Sequence, residues 1–260
     1  MGKRPVENIV DIHNHLLPGV DDGAQTFEES LRHLRLMHDD GVTRLAVSPH
    51  LFERDGVAAR LDELEAGFAA LQHRLAGRTD VPRLHFSQEI LCPTPAAARA
   101  VFADARAGVA NSHYALVEFG FELRSDCRPV IAAVLGCGKR MITSHPERFR
   151  RDGLPVTLEE IASWKEAGAL LQVNGGSLLG HYGARIQVRV WELLHGGLAD
   201  LISSDHHADY RMLSPAAVAR AIVARGGAEQ ARLLMSENPR RVLDDEDLLA
   251  VPGWADRSAA

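Results

Sequence analysis

Seven short apolar runs punctuate this chain, and each leads into a polar residue. Ile9-Val10-Asp11-Ile12 leads into His13-Asn14-His15, and Leu45-Ala46-Val47-Ser48-Pro49 into His50. Leu84-His85-Phe86-Ser87-Gln88 leads into Glu89, Tyr114-Ala115-Leu116-Val117 into Glu118, and Met141-Ile142-Thr143-Ser144 into His145. Ala169-Leu170-Leu171-Gln172-Val173 leads into Asn174, and Leu201-Ile202-Ser203-Ser204 into Asp205-His206-His207. Buried parallel strands read as apolar runs. In α/β barrels the carboxyl ends of the strands build the active site. Six of the seven runs end in metal-ligand residue types, so one recurring feature points to both a fold and a polynuclear metal centre.

Between the runs lie stretches of helical period. Thr26-Phe27-Glu28-Glu29 reads as a capping box, with Phe27, Leu31, Leu34 and Met37 on one face and a stop at Gly41. Leu61, Leu64, Phe68, Leu71 and Leu75 repeat that pattern. Further helices are expected over 96–107, 130–135, from Thr157 to near Gly168, 185–194, 215–224, 229–235 and 239–243. Alternating strands and helices imply a parallel sheet. The expected fold is α/β, an irregular TIM-like (β/α)7 barrel with the metal site at the C-terminal ends of its strands. An open doubly wound sheet is the alternative, but it would spread the outer strand ends too far from a single site. The expected organisation is a tail over 1–8, a single barrel domain over 9–250 and a loose tail over 251–260.

With 260 residues and 46% hydrophobic content, the chain is long enough to bury a large core. Its net charge of −6 carries no nucleic-acid footprint. The first eight residues lack the apolar stretch of a signal peptide, and no run approaches membrane-spanning length. Cys92, Cys127 and Cys137 are odd in number and without CxxC spacing, so they read as reduced thiols. A cytoplasmic location without membrane insertion is the expectation.

His13-Asn14-His15 places two imidazoles on one side of a strand end. Alone this is weak, since 13 histidines in 260 residues give roughly 0.6 such pairs by chance. Position and company lift it. Val20-Asp21-Asp22-Gly23 can return a carboxylate, Asp22, to the same mouth, although a turn aspartate is the plainer reading. Glu89 and Glu118 end apolar strands, where a carboxylate must be paired or metal-bound; an arginine pair is the alternative. His50 and His145 taken singly could be core histidines. In Asp205-His206-His207, alternation makes Asp205 and His207 the inward pair. His33, His38, His73, His85, His113, His181 and His195 read as background.

These segments in this order resemble the PHP superfamily, named for polymerase and histidinol phosphatase domains. They are most similar to the bacterial PHP-type protein-tyrosine phosphatases of capsule and exopolysaccharide systems. The resemblance runs from about Val10 to Leu243 and includes Ser144-His145-Pro146-Glu147-Arg148 and Glu237-Asn238-Pro239. It implies a PHP fold with three divalent metal ions, manganese expected and iron or zinc compatible. By the same resemblance His13, His15, Glu89 and Asp205 would hold the first ion. Glu89, Glu118 and His145 would hold the second, and Asp22, His50 and His207 the third. Carboxylates at Asp22 and Glu118 resemble the tyrosine-phosphatase branch, whose phosphate-binding arginines match Arg148 and Arg211. The implied partner is a phosphotyrosine protein, a tyrosine kinase of polysaccharide export. The oligomeric state is left open. The loops after His50 and Asn174 depart from the family pattern.

Metal ions lower the pKa of bound water near neutrality. The expected reaction is therefore in-line attack on phosphorus by a hydroxide held between two ions. A tyrosyl leaving group, with a pKa near ~10, depends less on a general acid than a seryl alkoxide does. His181 and Asp209 are the candidates for that acid. No Cys-x5-Arg loop is present, so a cysteine nucleophile is not expected. The competing readings are a small-molecule phosphatase resembling histidinol-phosphate phosphatase, an amidohydrolase-type C–N hydrolase and a non-catalytic metal-binding module. The second commonly uses a lysine where this chain has Glu118, and the third usually lacks ligands.

Overall fold

The computed structural model describes residues 5–256. Among them eleven strands form: β1 (Ile9–Asp11), β2 (Val42–Val47), β3 (His50–Phe52), β4 (Arg83–Phe86), β5 (Glu89–Leu91), β6 (Tyr114–Glu118), β7 (Arg140–Ser144), β8 (Arg150–Arg151), β9 (Leu154–Pro155), β10 (Leu170–Asn174) and β11 (Leu201–Ser203). Two of the seven expected strands are therefore split. Ser48-Pro49 divides the second, because proline brings no N–H to the ladder. Ser87-Gln88 divides the third, where the Gln88 side chain accepts from the Gly108 N–H at 2.9 Å.

One ladder runs β1-β2-β4 and the other β3-β5-β6-β7-β10-β11, parallel throughout. Since β2 continues into β3 and β4 into β5, the two ladders are successive stretches of one twisted sheet. Its edges meet just past β1 and β11. The Asp205 N–H donates to the His13 carbonyl and the His15 N–H to the His206 carbonyl, each at 2.8 Å. Buried Asp11 reinforces the seam by accepting from the Ser204 N–H and hydroxyl. This is an irregular seven-unit α/β barrel, not an open sheet. A short antiparallel hairpin, β8 with β9, stands beside its mouth.

Alternation along β6 shows how the barrel is filled. Tyr114 and Leu116 join an interior cluster with Val10, Ile12, Ala46, Ile142 and Leu201, closed below by Val242 and Leu243. Ala115 and Val117 face the larger cluster between sheet and helices. Parity therefore carries Glu118 to the interior face at the open end. Phe119 and Phe149, which follow Glu118 and Arg148, pack with fully buried Trp164 at ring separations of 5.5–6.0 Å.

The helices follow the sequence pattern with informative differences. Thr26 accepts from the Glu29 N–H, but Glu29 reaches back to the Gln25 N–H instead of completing the reciprocal box. The helix expected over 96–107 spans only Pro95–Val101. Beyond it the Asp104 carboxylate takes the Arg106 N–H and guanidinium, giving the backbone an alternative to helix. The two closing helices join through a π-helical turn at Leu233–Glu237. The expected tails are packed as far as they are described. Val6 and Val251 are buried, and the Trp254 indole N–H donates to the Arg225 carbonyl. Positions 1–4 and 257–260 of those tails lie outside the described residues. No described helix is long and apolar enough to cross a membrane.

Because Trp164 underpins both strand ends, Trp164→Ala is expected to cost about 3–5 kcal/mol of stability. Urea unfolding followed by circular dichroism measures this, and a loss below about 1 kcal/mol would contradict the packing role.

Candidate metal centre

The mouth of the barrel is lined by imidazoles whose tautomers are set from behind. The Gln172 amide donates to the Val173 carbonyl at 2.8 Å, so its oxygen is the atom 2.9 Å from His13 Nδ1. His13 therefore carries a hydrogen on Nδ1 and turns Nε2 inward. His15 does the same, with Nδ1 2.7 Å from Asp21 Oδ2. Asp21 is itself fixed by the Gly23 N–H at 3.0 Å. Such partners orient metal-binding histidines. Gly23 is required where it stands: a Cβ there would lie 1.8 Å from the His15 carbonyl oxygen.

Glu89 occupies the centre. Its Oε1 lies 3.3 Å from His13 Nε2 and 3.0 Å from His145 Nε2. Its Oε2 lies 3.5 Å from His15 Nε2 and 3.2 Å from His50 Nδ1. Asp22 Oδ1 is 3.4 Å from both His50 Nε2 and His207 Nε2. The His15 and His207 rings stack at 3.8 Å. His145 and Asp205 sit at φ +34° and +51°, sparsely populated for residues other than glycine, and this bends their strand ends into the mouth.

Asp205 divides its two oxygens between two tasks. Oδ1 lies 3.5 Å from His13 Nε2, 3.6 Å from His15 Nε2 and 3.3 Å from His207 Nδ1. Oδ2 accepts from Asn174 Nδ2 at 2.7 Å, Arg148 Nη1 at 2.6 Å and Arg211 Nη1 at 2.9 Å. Arg148 is held between Phe121 and Tyr182, its guanidinium carbon 4.7 and 4.5 Å from their ring centres. Phe121 also lies flat on His145 at 5.5 Å and stays 46% exposed, so an aromatic lip stands over the site.

Burial and crowding set the charges. Burial pulls the His13 pKa down, but Glu89 and Asp205 outweigh it and raise it to about 9. Burial opposes His50 too, yet Asp22 and Glu89 raise it to about 11. Glu89 and Asp205 stay well below the usual carboxylate range despite burial, chiefly through His13. Burial and repulsion from Glu89 push Glu118 up to about 7. Burial lowers His145 to about 4.

The donor set fits divalent cations. His13 Nε2, His15 Nε2 and His145 Nδ1 are buried without a hydrogen-bond partner, and such orphaned atoms are costly unless something fills the space before them. Ligand atoms of His15, Asp22, His50 and His207 lie within 4.8 Å of one another, as do those of His13, Glu89 and His145, and of His13, His15 and Asp205. Eight of the nine expected ligands are thus gathered into three overlapping groups. Glu118, buried on the interior face, belongs to none of them.

Other expectations need correction. Asp209 faces away from the mouth, paired bidentately with Arg32 and lying 3.1 Å from His33 Nε2. Arg32 pulls its pKa to about 2, so it is not a proton donor. His181 lines a different cleft, with Leu36 and Met212. His33, read as background, is fully buried with Nδ1 2.8 Å from His206 Nε2. His206 Nδ1 accepts from the Leu213 N–H, so its Nε2 donates to His33. This chain ties the loop bearing His207 and Arg211 to the helix Phe27–Asp39. The sequence reading gave no role to the orienting residues Asp21, Gln172 and Asn174 or to the aromatics Phe121 and Tyr182. Only the tandem Asp21-Asp22 offered a signal.

Residues 9–244 match the family model described as capsular polysaccharide synthesis, CpsB/CapC. The putative tyrosine-protein phosphatase CapC of Staphylococcus aureus is 28% identical over 206 residues, covering 76% of this chain and 77% of that protein. Tyrosine-protein phosphatase CpsB of Streptococcus agalactiae is 24% identical over 242 residues, covering 90% of this chain and 98% of that one. Among solved structures, crystal structures of YwqE from Bacillus subtilis and CpsB from Streptococcus pneumoniae, described as metal-dependent tyrosine phosphatases, share the fold. The match has a TM-score of 0.81 at 21% identity, covering 96% of this chain and 100% of that one.

Three outcomes are expected. Without metal, His13 and His50 are protonated at pH 7.5, so cation uptake should release protons and weaken as pH falls. Calorimetric titration in buffers of different ionisation enthalpy reads this directly. Because their folded pKa values lie above 6.5, their contribution to metal-free stability is complete below pH 6.5 and lost as pH rises through about 9 and then 11. Asp21→Ala, which frees the His15 ring, should lower metal affinity roughly 10–100-fold; unchanged affinity in a competition assay would refute the orienting role.

Proposed function

The chain belongs to the capsular polysaccharide synthesis CpsB/CapC family, and on that premise we propose that it is a metal-dependent protein-tyrosine phosphatase. One observation carries the reading. Two arginines converge on a single carboxylate oxygen of Asp205, whose other oxygen faces the inward imidazoles. A dianion-binding pair thus stands directly beside a cation cradle. We assign His13, His15, Glu89 and Asp205 to a first ion, Glu89, Glu118 and His145 to a second, and Asp22, His50 and His207 to a third, with manganese as the expected metal. Glu118, whose pKa burial and then Glu89 raise to about 7, is a carboxyl that a neighbouring cation would ionise.

Bound divalent ions would supply acidified water and positive charge. The protein's own residues do the rest. Arg148 and Arg211 take the non-bridging phosphoryl oxygens, a geometry that guanidinium matches in two-point fashion. Asn174 keeps Asp205 turned so that arriving phosphate competes with only one of its oxygens, Oδ2, for the arginine N–H groups. Phe121 and Tyr182 pack against Arg148, and half-exposed Phe121 offers apolar ring surface beside it, which supports an aryl over an alkyl phosphate ester. The tyrosyl leaving group needs little protonation, in keeping with Asp209 being turned away from the mouth and paired with Arg32. The proposed substrate is a phosphotyrosine protein, a tyrosine kinase of polysaccharide export, met in the cytoplasm. There Cys92, Cys127 and Cys137 remain free thiols.

Chelation should abolish turnover of a phosphotyrosine peptide and manganese should restore it. Arg148→Ala should lower kcat/KM by roughly 10²–10³-fold with metal content unchanged, whereas Glu89→Ala should lose metal and activity together. Full activity in Glu89→Ala would remove its central role. Phe121→Ala should raise KM for p-nitrophenyl phosphate more than for an alkyl phosphate; equal effects on both would refute the aromatic lip.

A further inference from the structure

We propose that the groove leading away from Arg148 docks acidic residues flanking the phosphotyrosine, an inference that rests on the phosphatase reading above. The groove is a cleft of about 330 Å³ lined by Arg148, Arg150, Tyr182, Arg185 and Ile186, among others. A neighbouring cleft shares Arg148, Arg150, Tyr182 and Ile186 with it and adds Phe121, the aromatic lip. Another shares Arg185 and Ile186 and continues along the helix Ala184–His195 to Val188. The three form one path that begins at the phosphate-binding arginine.

Its charge is positive against the trend of the chain, whose net charge is −6. Arg150 on the hairpin and Arg185 on the helix both line the groove, and both are exposed. Neither has an ion-pair partner among the described residues, whereas Arg106 and Arg240 each hold several carboxylates. Three acids also line the path, against the four arginines Arg148, Arg150, Arg185 and Arg189. Glu122 accepts from the Gly153 N–H, Glu192 lies 3.6 Å from Arg189, and buried Glu147 accepts from the Asn174 N–H. The helix Ala184–His195 opens into the same groove with Gly183 at its cap, no side-chain cap and no acid in its first turn. Its first N–H groups are therefore free to meet a carboxylate. The hairpin wall is fixed, since the Arg150 N–H donates to the Phe121 carbonyl and its carbonyl accepts from the Leu123 N–H. A polypeptide whose phosphotyrosine sits at Arg148 would lay an adjoining segment along this path, and the wall favours glutamate or aspartate there.

The test uses the metal-loaded full chain and phosphotyrosine peptides with Glu, Gln or Lys flanks, on either side of the tyrosine. For at least one side, Glu flanks should exceed Gln flanks by roughly three- to tenfold in kcat/KM, through KM, and Lys flanks should fall below both. The advantage should shrink as salt rises. In Arg150→Glu/Arg185→Glu it should vanish or reverse, while kcat/KM for p-nitrophenyl phosphate stays unchanged. Arg150→Gln and Arg185→Gln, at exposed positions, provide milder variants should the double reversal unfold. A Glu advantage that persists in the variants would overturn the groove, as would its absence in the unchanged chain while p-nitrophenyl phosphate is turned over. No turnover of p-nitrophenyl phosphate by the unchanged chain would instead overturn the phosphatase reading, and the groove's role with it.

Discussion

The mouth of this barrel turns on one carboxylate. Asp205 lies just past β11, where its backbone N–H joins the last strand segment to the first. Its side chain then faces two ways at once. One oxygen looks at the imidazoles of His13, His15 and His207, the other at Asn174, Arg148 and Arg211. Closure of the fold, the cation cradle and the anion mouth thus share a single residue. A positive φ makes this possible, because an extended residue there could not both continue the seam and turn its carboxylate inward.

Such a site is expensive in electrostatic terms. Glu89, Asp205 and Glu118 are buried together, and moving each carboxylate out of water costs several kcal/mol before any compensation. Protons on His13 and His50 and the guanidinium of Arg148 offset part of that cost. They do so incompletely: Glu118 is driven toward its neutral form, and three imidazole nitrogens are left without partners. Cations relieve both defects together, since they neutralise the carboxylates and occupy the lone pairs. The tautomer locks imposed by Gln172 and Asp21 make sense only on that view. They turn the Nε2 atoms of His13 and His15 inward, where a cation can displace the proton that His13 holds in the metal-free site.

Strand-end chemistry was legible in the sequence because each ligand follows an apolar run whose burial fixes where the run ends. Parity alone carries Glu118 inward, and alternation separates His206 from Asp205 and His207. The supporting residues were not legible. Gln172 and Asn174 lie on β10, which corresponds to the one of the seven expected strands that ends without a ligand, and their task depends on neighbours 159 and 31 residues away. No local pattern encodes such pairings. His33 looked like one polar residue on an amphipathic helix, and only the fold brings it to His206. The errors in helix length have a local origin: Asp104 competes for the backbone that the alanine-rich run would otherwise wind into helix.

The same contrast bears on how the mouth stays open. Arg211 and His207 sit on a loop that would be free to collapse onto the carboxylates. The loop is anchored elsewhere, through His206 to buried His33 and on to Asp209 and Arg32. Burial lowers the His206 pKa to about 3, so this anchor is neutral and does not add to the positive charge nearby. Arg148 is anchored differently, between two aromatic faces that leave most of its N–H groups uncommitted. Both arginines are held by contacts that phosphate cannot use, and both point at an oxygen that phosphate can replace. The anion is therefore exchanged for Asp205 Oδ2 with little rearrangement, which is the condition for electrostatic preorganisation at a phosphoryl-transfer site.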